Sequence, residues 1–144
     1  MTASPFLPPL PDEQLFDISA WPVVFGQFPE LGEADRVDRV LNSLQAIIDQ
    51  KQRFVIVWKM PRHDHDDEPH EDEKQSLIWL KKHKAELQTW CAGYVYVTQD
   101  PELRALLLAR FPVVEKFLSF PKKVADDLKD AGDIARDFLQ AADA

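Results

Sequence analysis

"RFVIVWKM" occupies residues 53–60, and Pro61 ends it. Five apolar residues run without interruption from Phe54 to Trp58, too few for a helix that would bury all its sides. A short continuous run of this kind fits a strand covered on both faces, the condition met by strands of a parallel sheet. Parallel neighbours need crossover connections, so helices are expected before and after it.

Both flanks supply them. On the N-terminal side, Val37, Val40, Leu41, Leu44, Ile47 and Ile48 form one apolar stripe and predict a helix over 33–51. Upstream of that helix, "VVFGQF" (23–28) lies between Pro22 and Pro29 and reads as a strand. "LFDIS" (15–19) alternates and suggests a short edge strand.

On the C-terminal side a helix is expected over about 73–91. Asp72 can cap it, and Glu71 and Glu73 suit its positive end. Leu77, Leu80, Leu87 and Cys91 would mark one face, flanked by Trp79 and Trp90. Gly93 then separates that helix from a strand, "YVYVT" (94–98). "DPE" (100–102) is a helix start, with Asp100 as N-cap and Pro101 at the first helical position, and that helix should run to about Arg110, ahead of Pro112. Residues 112–121 read equally as a helical turn or a loop, and "KKVAD" (122–126) as a fourth strand. A last helix over 128–142 carries Leu128, Ala131, Ala135, Phe138, Leu139 and Ala142. The order βαβαβαβα predicts a three-layer α/β fold, with a mostly parallel sheet of four to five strands and helices on both faces. Residues 1–14 are an extended, proline-bearing lead-in, in which "FLPPLP" could adopt polyproline II or pack on its own domain. Residues 15–144 then make one domain, with an acidic loop at 61–73.

The net charge is −8, and the stretch 62–73, "RHDHDDEPHEDE", carries six of those charges, with seven acids against Arg62. A nearly neutral body with one acidic loop argues against nucleic acid, which selects a basic face, and against an anionic membrane surface. Cys91 is the only cysteine, so no intramolecular disulfide is expected. The N-terminus lacks the charged and apolar regions of a signal peptide, and no apolar run approaches about 18 residues. These features together predict a cytoplasmic protein.

"WPVVFGQFP", "RFVIVWKM", "LKKHKAELQTWCAGYVYV" and "KKVADDLKDAGDIARDFL" together resemble small bacterial α/β proteins of the SpoIIAA-like (STAS-like) kind. The resemblance spans most of residues 15–142. It implies the α/β fold above and a non-enzymatic switch or binding module. Some members carry a phosphorylatable serine in an Asp-Ser-Ser-Gly turn after a central strand. The corresponding "KMPRHDH" here holds no serine, threonine or glycine, which argues against that switch.

Enzyme signatures are mainly absent from the sequence, which leans the reading away from an enzyme without excluding one. The four glycines (Gly26, Gly32, Gly93, Gly132) stand far apart, excluding a P-loop and a dinucleotide fingerprint, and no nucleophile elbow is present. Cys91 could serve as a nucleophile if His83 lay beside it, but lone cysteines usually pack. No catalytic residue is therefore assigned and no cofactor is expected. His63, His65 and His70, beside the acids of the loop, nonetheless form a candidate ligand set for Zn²⁺ or Ni²⁺. The preferred reading is a docking site for a protein partner with a basic surface, using Lys59, Arg62, Asp64, Asp66, Asp67, Glu68 and Glu71. "KKHK" (81–84) offers the loop a basic face on which to fold, in the same chain or in a second copy, so a homodimer is a further candidate. In open parallel sheets ligands gather beyond the carboxyl ends of the strands, where this loop should emerge. Trp58, at the end of its strand, could line a pocket there or belong to the core.

Overall fold

The central run does become a strand buried on both faces. The structure, a computed structural model, describes residues 6–27, 35–59 and 70–143, with the backbone alone described for 70–73 and 143. Its elements are β1 (Phe16–Asp17), β2 (Val23–Gln27), α1 (Arg36–Ile48), β3 (Phe54–Lys59), α2 (His70–Trp90), β4 (Cys91–Val97), α3 (Pro101–Glu115), β5 (Lys122–Ala125) and α4 (Leu128–Asp143). Five strands form one sheet in the order β1-β2-β3-β4-β5. β1 runs antiparallel to β2 as an edge strand, and all other neighbours are parallel.

Successive side chains of β3 point to opposite faces. Phe54, Ile56 and Trp58 join Val24, Tyr94 and the α1 residues Leu44, Ile47 and Ile48 in one core. Val55 and Val57 join Val23, Val95, Ala125 and the α4 residues Ala131, Ala135 and Phe138 in another. Each fully buried large aliphatic or aromatic side chain contributes roughly 1.5–3 kcal/mol. Because strand order follows chain order, right-handed crossovers all fall on one face. α1 and α2 accordingly share the first face with α3, whose end packs Val114 and the following Phe117 against the same core. The second face is covered by α4.

Four expectations need correcting. Cys91 begins β4 rather than ending α2, and Gly93 lies inside that strand instead of separating helix from strand. Phe54 pairs with Cys91 and Val55 with Gly93, so Ala92 is bulged into the ladder and β4 starts directly from the helix. Leu77 is about half exposed rather than part of a buried stripe. α3 continues past Pro112 to Glu115; the proline removes the one amide that the Leu108 carbonyl would accept from, on an exposed face. Its start is as read: Asp100 accepts from the amides of Glu102 (3.0 Å) and Leu103 (3.5 Å).

The lead-in is tied down from Phe6 onward. Phe6 meets Trp21 edge-to-face at 5.0 Å, and the Gln50 side chain both accepts from the Leu7 amide (2.7 Å) and donates to its carbonyl (2.9 Å). No helix among the described residues is long and apolar enough to cross a membrane.

Candidate functional site

One helix cannot cover four parallel strands about 4.8 Å apart. α4 starts near the carboxyl end of β3 and ends over β4 and β5, where Phe138 packs. Among the described residues nothing covers the β2 corner of that face, and a groove of about 400 Å³ occupies it. Its walls are Glu13 to Asp17 on one side, Phe25 to Gln27 and Lys59 at the strand ends, and Leu128 of α4.

The wall at 13–17 is held in place by α1. Asp12 receives the Gln14 amide (2.9 Å) and pairs with Arg39 (2.8 Å), whose guanidinium also donates to Gln14 Oε1 (3.0 Å). The Asp12 amide donates to Ser43 Oγ at 2.9 Å. The bond from Arg39 is the main cause that holds the Asp12 carboxyl below the usual carboxylate range. Gln27 closes the corner by donating its backbone amide to Leu15 O and its side-chain amide to Gln14 O, both at 2.9 Å. Gly26 lets Phe16 lie across the sheet end, since a Cβ there would sit 2.8 Å from the Phe16 ring.

Chemically the groove suits recognition. Asp17 is kept below the usual carboxylate range, chiefly by hydrogen bonding from Ser19. Glu13 gives a second carboxylate, and Lys59 is the one basic group among the described lining residues. Phe25 and Leu128 add apolar surface between them.

Of the residues read as a site, Lys59 is placed: it is exposed at the end of β3, opposite Gln27 and Val97, on the groove rim. Arg62, Asp64, Asp66, Asp67, Glu68, His63 and His65 lie outside the described residues. His70 and Glu71 open α2, their side chains undescribed. Among the described residues no group of three His, Cys, Asp or Glu side chains could hold a metal ion. "KKHK" does not make one basic face. Lys81 and Lys82 are exposed, Lys84 sits over the Phe117 ring (4.9 Å), and His83 stacks on Trp79 and pairs with Glu86 at 3.1 Å.

Cys91 and His83 are not brought together. The Cys91 thiol points into the core, donates to Gly93 O at 3.4 Å, and is pushed up to about 12 by burial. Trp58 is also core, 3% exposed and edge-to-face with Phe16 and Tyr94. The sequential strand order leaves no point at which the order reverses, so the crevice typical of open α/β sheets is absent among the described strands. The groove instead owes its place to the antiparallel edge strand and the start of α4. Its wall residues share no motif; the edge-strand reading of 15–19 and the choice of Lys59 as a site residue are the signals that point to them. Comparison of the chain with family models, with curated proteins and with solved structures finds no match.

Proposed function

We propose that the chain is a non-catalytic cytoplasmic binding module that docks the basic surface of a protein partner at the corner groove. The observation that carries the reading is the groove itself. Its described lining has two carboxylates against one amine, around apolar surface. An arginine or lysine of the partner would lay its alkyl stem along Phe25 and Leu128 and its charged head near Glu13 and Asp17. The acids of 62–73 follow Lys59 closely in the chain, beginning with Asp64 five residues on, at most about 18 Å of backbone away. They would strengthen the attraction at a distance and speed encounter, making association salt-sensitive. The resemblance to SpoIIAA-like proteins, mostly non-enzymatic, supports the same reading.

The test is an NMR titration of the ¹⁵N-labelled chain with a 12-residue arginine- and lysine-rich peptide, at about 50 and 300 mM salt, beside an acidic control peptide. The amides of Gly26, Gln27, Lys59 and Leu128 should shift with the basic peptide alone. Glu13→Gln with Asp17→Asn should weaken binding, and higher salt should do the same. Shifts confined to residues 62–73, or none at millimolar peptide, would remove the groove from the site.

A further inference from the structure

We infer that the solvent face of α3 is a homodimer interface, in which α3 pairs antiparallel with α3 of a second copy across a twofold axis at Ala109. The first observation is a mismatch between sequence and burial. "PELRALLLARFPVVE" is apolar on nearly every side, a pattern that belongs to a helix covered all round. Yet of its 15 residues only Leu107 is buried. Leu103, Leu107, Phe111 and Val114 turn toward the domain at helical spacing, with Phe111 against Tyr96 at 5.6 Å. The opposite face carries Ala105, Leu108, Ala109, Pro112 and Val113, spaced i, i+3, i+4, i+7, i+8 and all exposed. Leu108 is 50% and Val113 68% exposed. Such a stripe on a soluble surface marks a binding face.

Charge placement selects the occupant. The stripe ends in exposed Glu102 on one side and exposed Lys116 on the other, each seven residues from Ala109. An isologous interface sets residue i against j and j against i. A twofold at Ala109 therefore brings Glu102 opposite Lys116 of the partner at both ends. It also sets Ala105 against the partner's Val113 and the two small Ala109 side chains against each other, where helix axes can approach to about 8 Å. A second copy turned the same way satisfies both end charges, whereas a parallel pairing would set like charges together. The contact is about 21 Å long and one helix wide, smaller than a standard interface, so dimerisation in the micromolar range is expected.

Sedimentation equilibrium of the full chain from about 1 to 300 μM tests this, with circular dichroism to show that each variant folds. The wild type should pass from monomer to dimer across that range. Ala109→Glu, which sets two carboxylates on the axis, should leave a folded monomer. Glu102→Lys and Lys116→Glu should each raise the dissociation constant about tenfold at low salt, and the double swap should return it to within about threefold of wild type. That rescue distinguishes a self-complementary pairing from a nonspecific apolar contact. A monomer throughout, a dimer that survives Ala109→Glu, or a double swap no better than the singles would each overturn the assignment.

Discussion

Gly93→Ala should be among the most damaging single-methyl additions in the chain. A Cβ at position 93 would lie 2.3 Å from Phe138 Cδ2, 2.8 Å from Phe138 Cε2 and 2.9 Å from the Pro121 carbonyl oxygen. The ring would have to retreat by about 1 Å to reach ordinary contact. It sits 7% exposed on α4, whose Ala131 and Ala135 are fully buried against the same face. The Pro121 oxygen cannot yield either, because it accepts the Tyr94 amide at 3.1 Å and so sets the start of the β4–β5 pairing. Overpacking of this kind costs about 1–3 kcal/mol. With backbone and ring both fixed, the upper part of that range applies. Gly→Ala recovers about 0.5–1 kcal/mol through the unfolded chain, leaving a net loss of about 2 kcal/mol. Urea denaturation should show a lower midpoint with an unchanged slope, and a melting temperature lower by about 6–8 °C. The double-mutant cycle with Phe138→Ala identifies the cause. In that background the Gly93→Ala penalty should fall by at least half. An undiminished penalty, or one below about 0.5 kcal/mol in the parent, would refute the packing argument.

Other perturbations follow from single residues. Lys51 is exposed at a φ of 54°, so Lys51→Gly should stabilise the chain by about 0.5–1 kcal/mol in urea denaturation; destabilisation would mean its side chain does more than its surroundings suggest. The Cys91 thiol should resist Ellman's reagent in the native protein at pH 8 and react at the rate of unfolding, whereas full labelling within a minute would contradict its burial. Asp12, held below its ordinary value of 3.8, contributes stability that is complete above that value and is lost as pH falls through the lower folded value. Asp12→Asn should thus cost about 1 kcal/mol at pH 7 and much less at pH 3, and an equal cost at both would show that its charge is irrelevant.

The α/β architecture was legible because its signals are local. The six-residue apolar stripe of α1, the unbroken Phe54–Trp58 run and the Asp100-Pro101-Glu102 cap each lie within a few turns or one strand. Errors arose where distant residues decide. Gly93 reads as a break until Phe138, 45 positions later in the chain, explains why a strand needs a glycine there. Leu77 reads as core because spacing alone cannot say how much of a helix face the domain covers, and this residue stays about half exposed. The groove was not legible for the same reason: residues 13–17, 25–27, 59 and 128 meet only after β1 has paired and α4 has crossed back over the sheet. Residues 62–73 stand out by composition, whereas the burial that shapes the groove is not written in any local stretch.

Among the described elements α4 alone covers the second face, which gives the fold a built-in mark of completeness. A chain cut before Leu128 could still pair its five strands and seat three helices on the other side. Its sheet would then display Val23, Val55, Val57 and Val95 side by side, bare to water. Contiguous β-branched surface of this sort is what chaperones and proteases seize and what seeds aggregation. Defective copies would therefore announce themselves to cellular quality control, and the most severe truncation and nonsense phenotypes should trace to loss of this one helix rather than to loss of the groove.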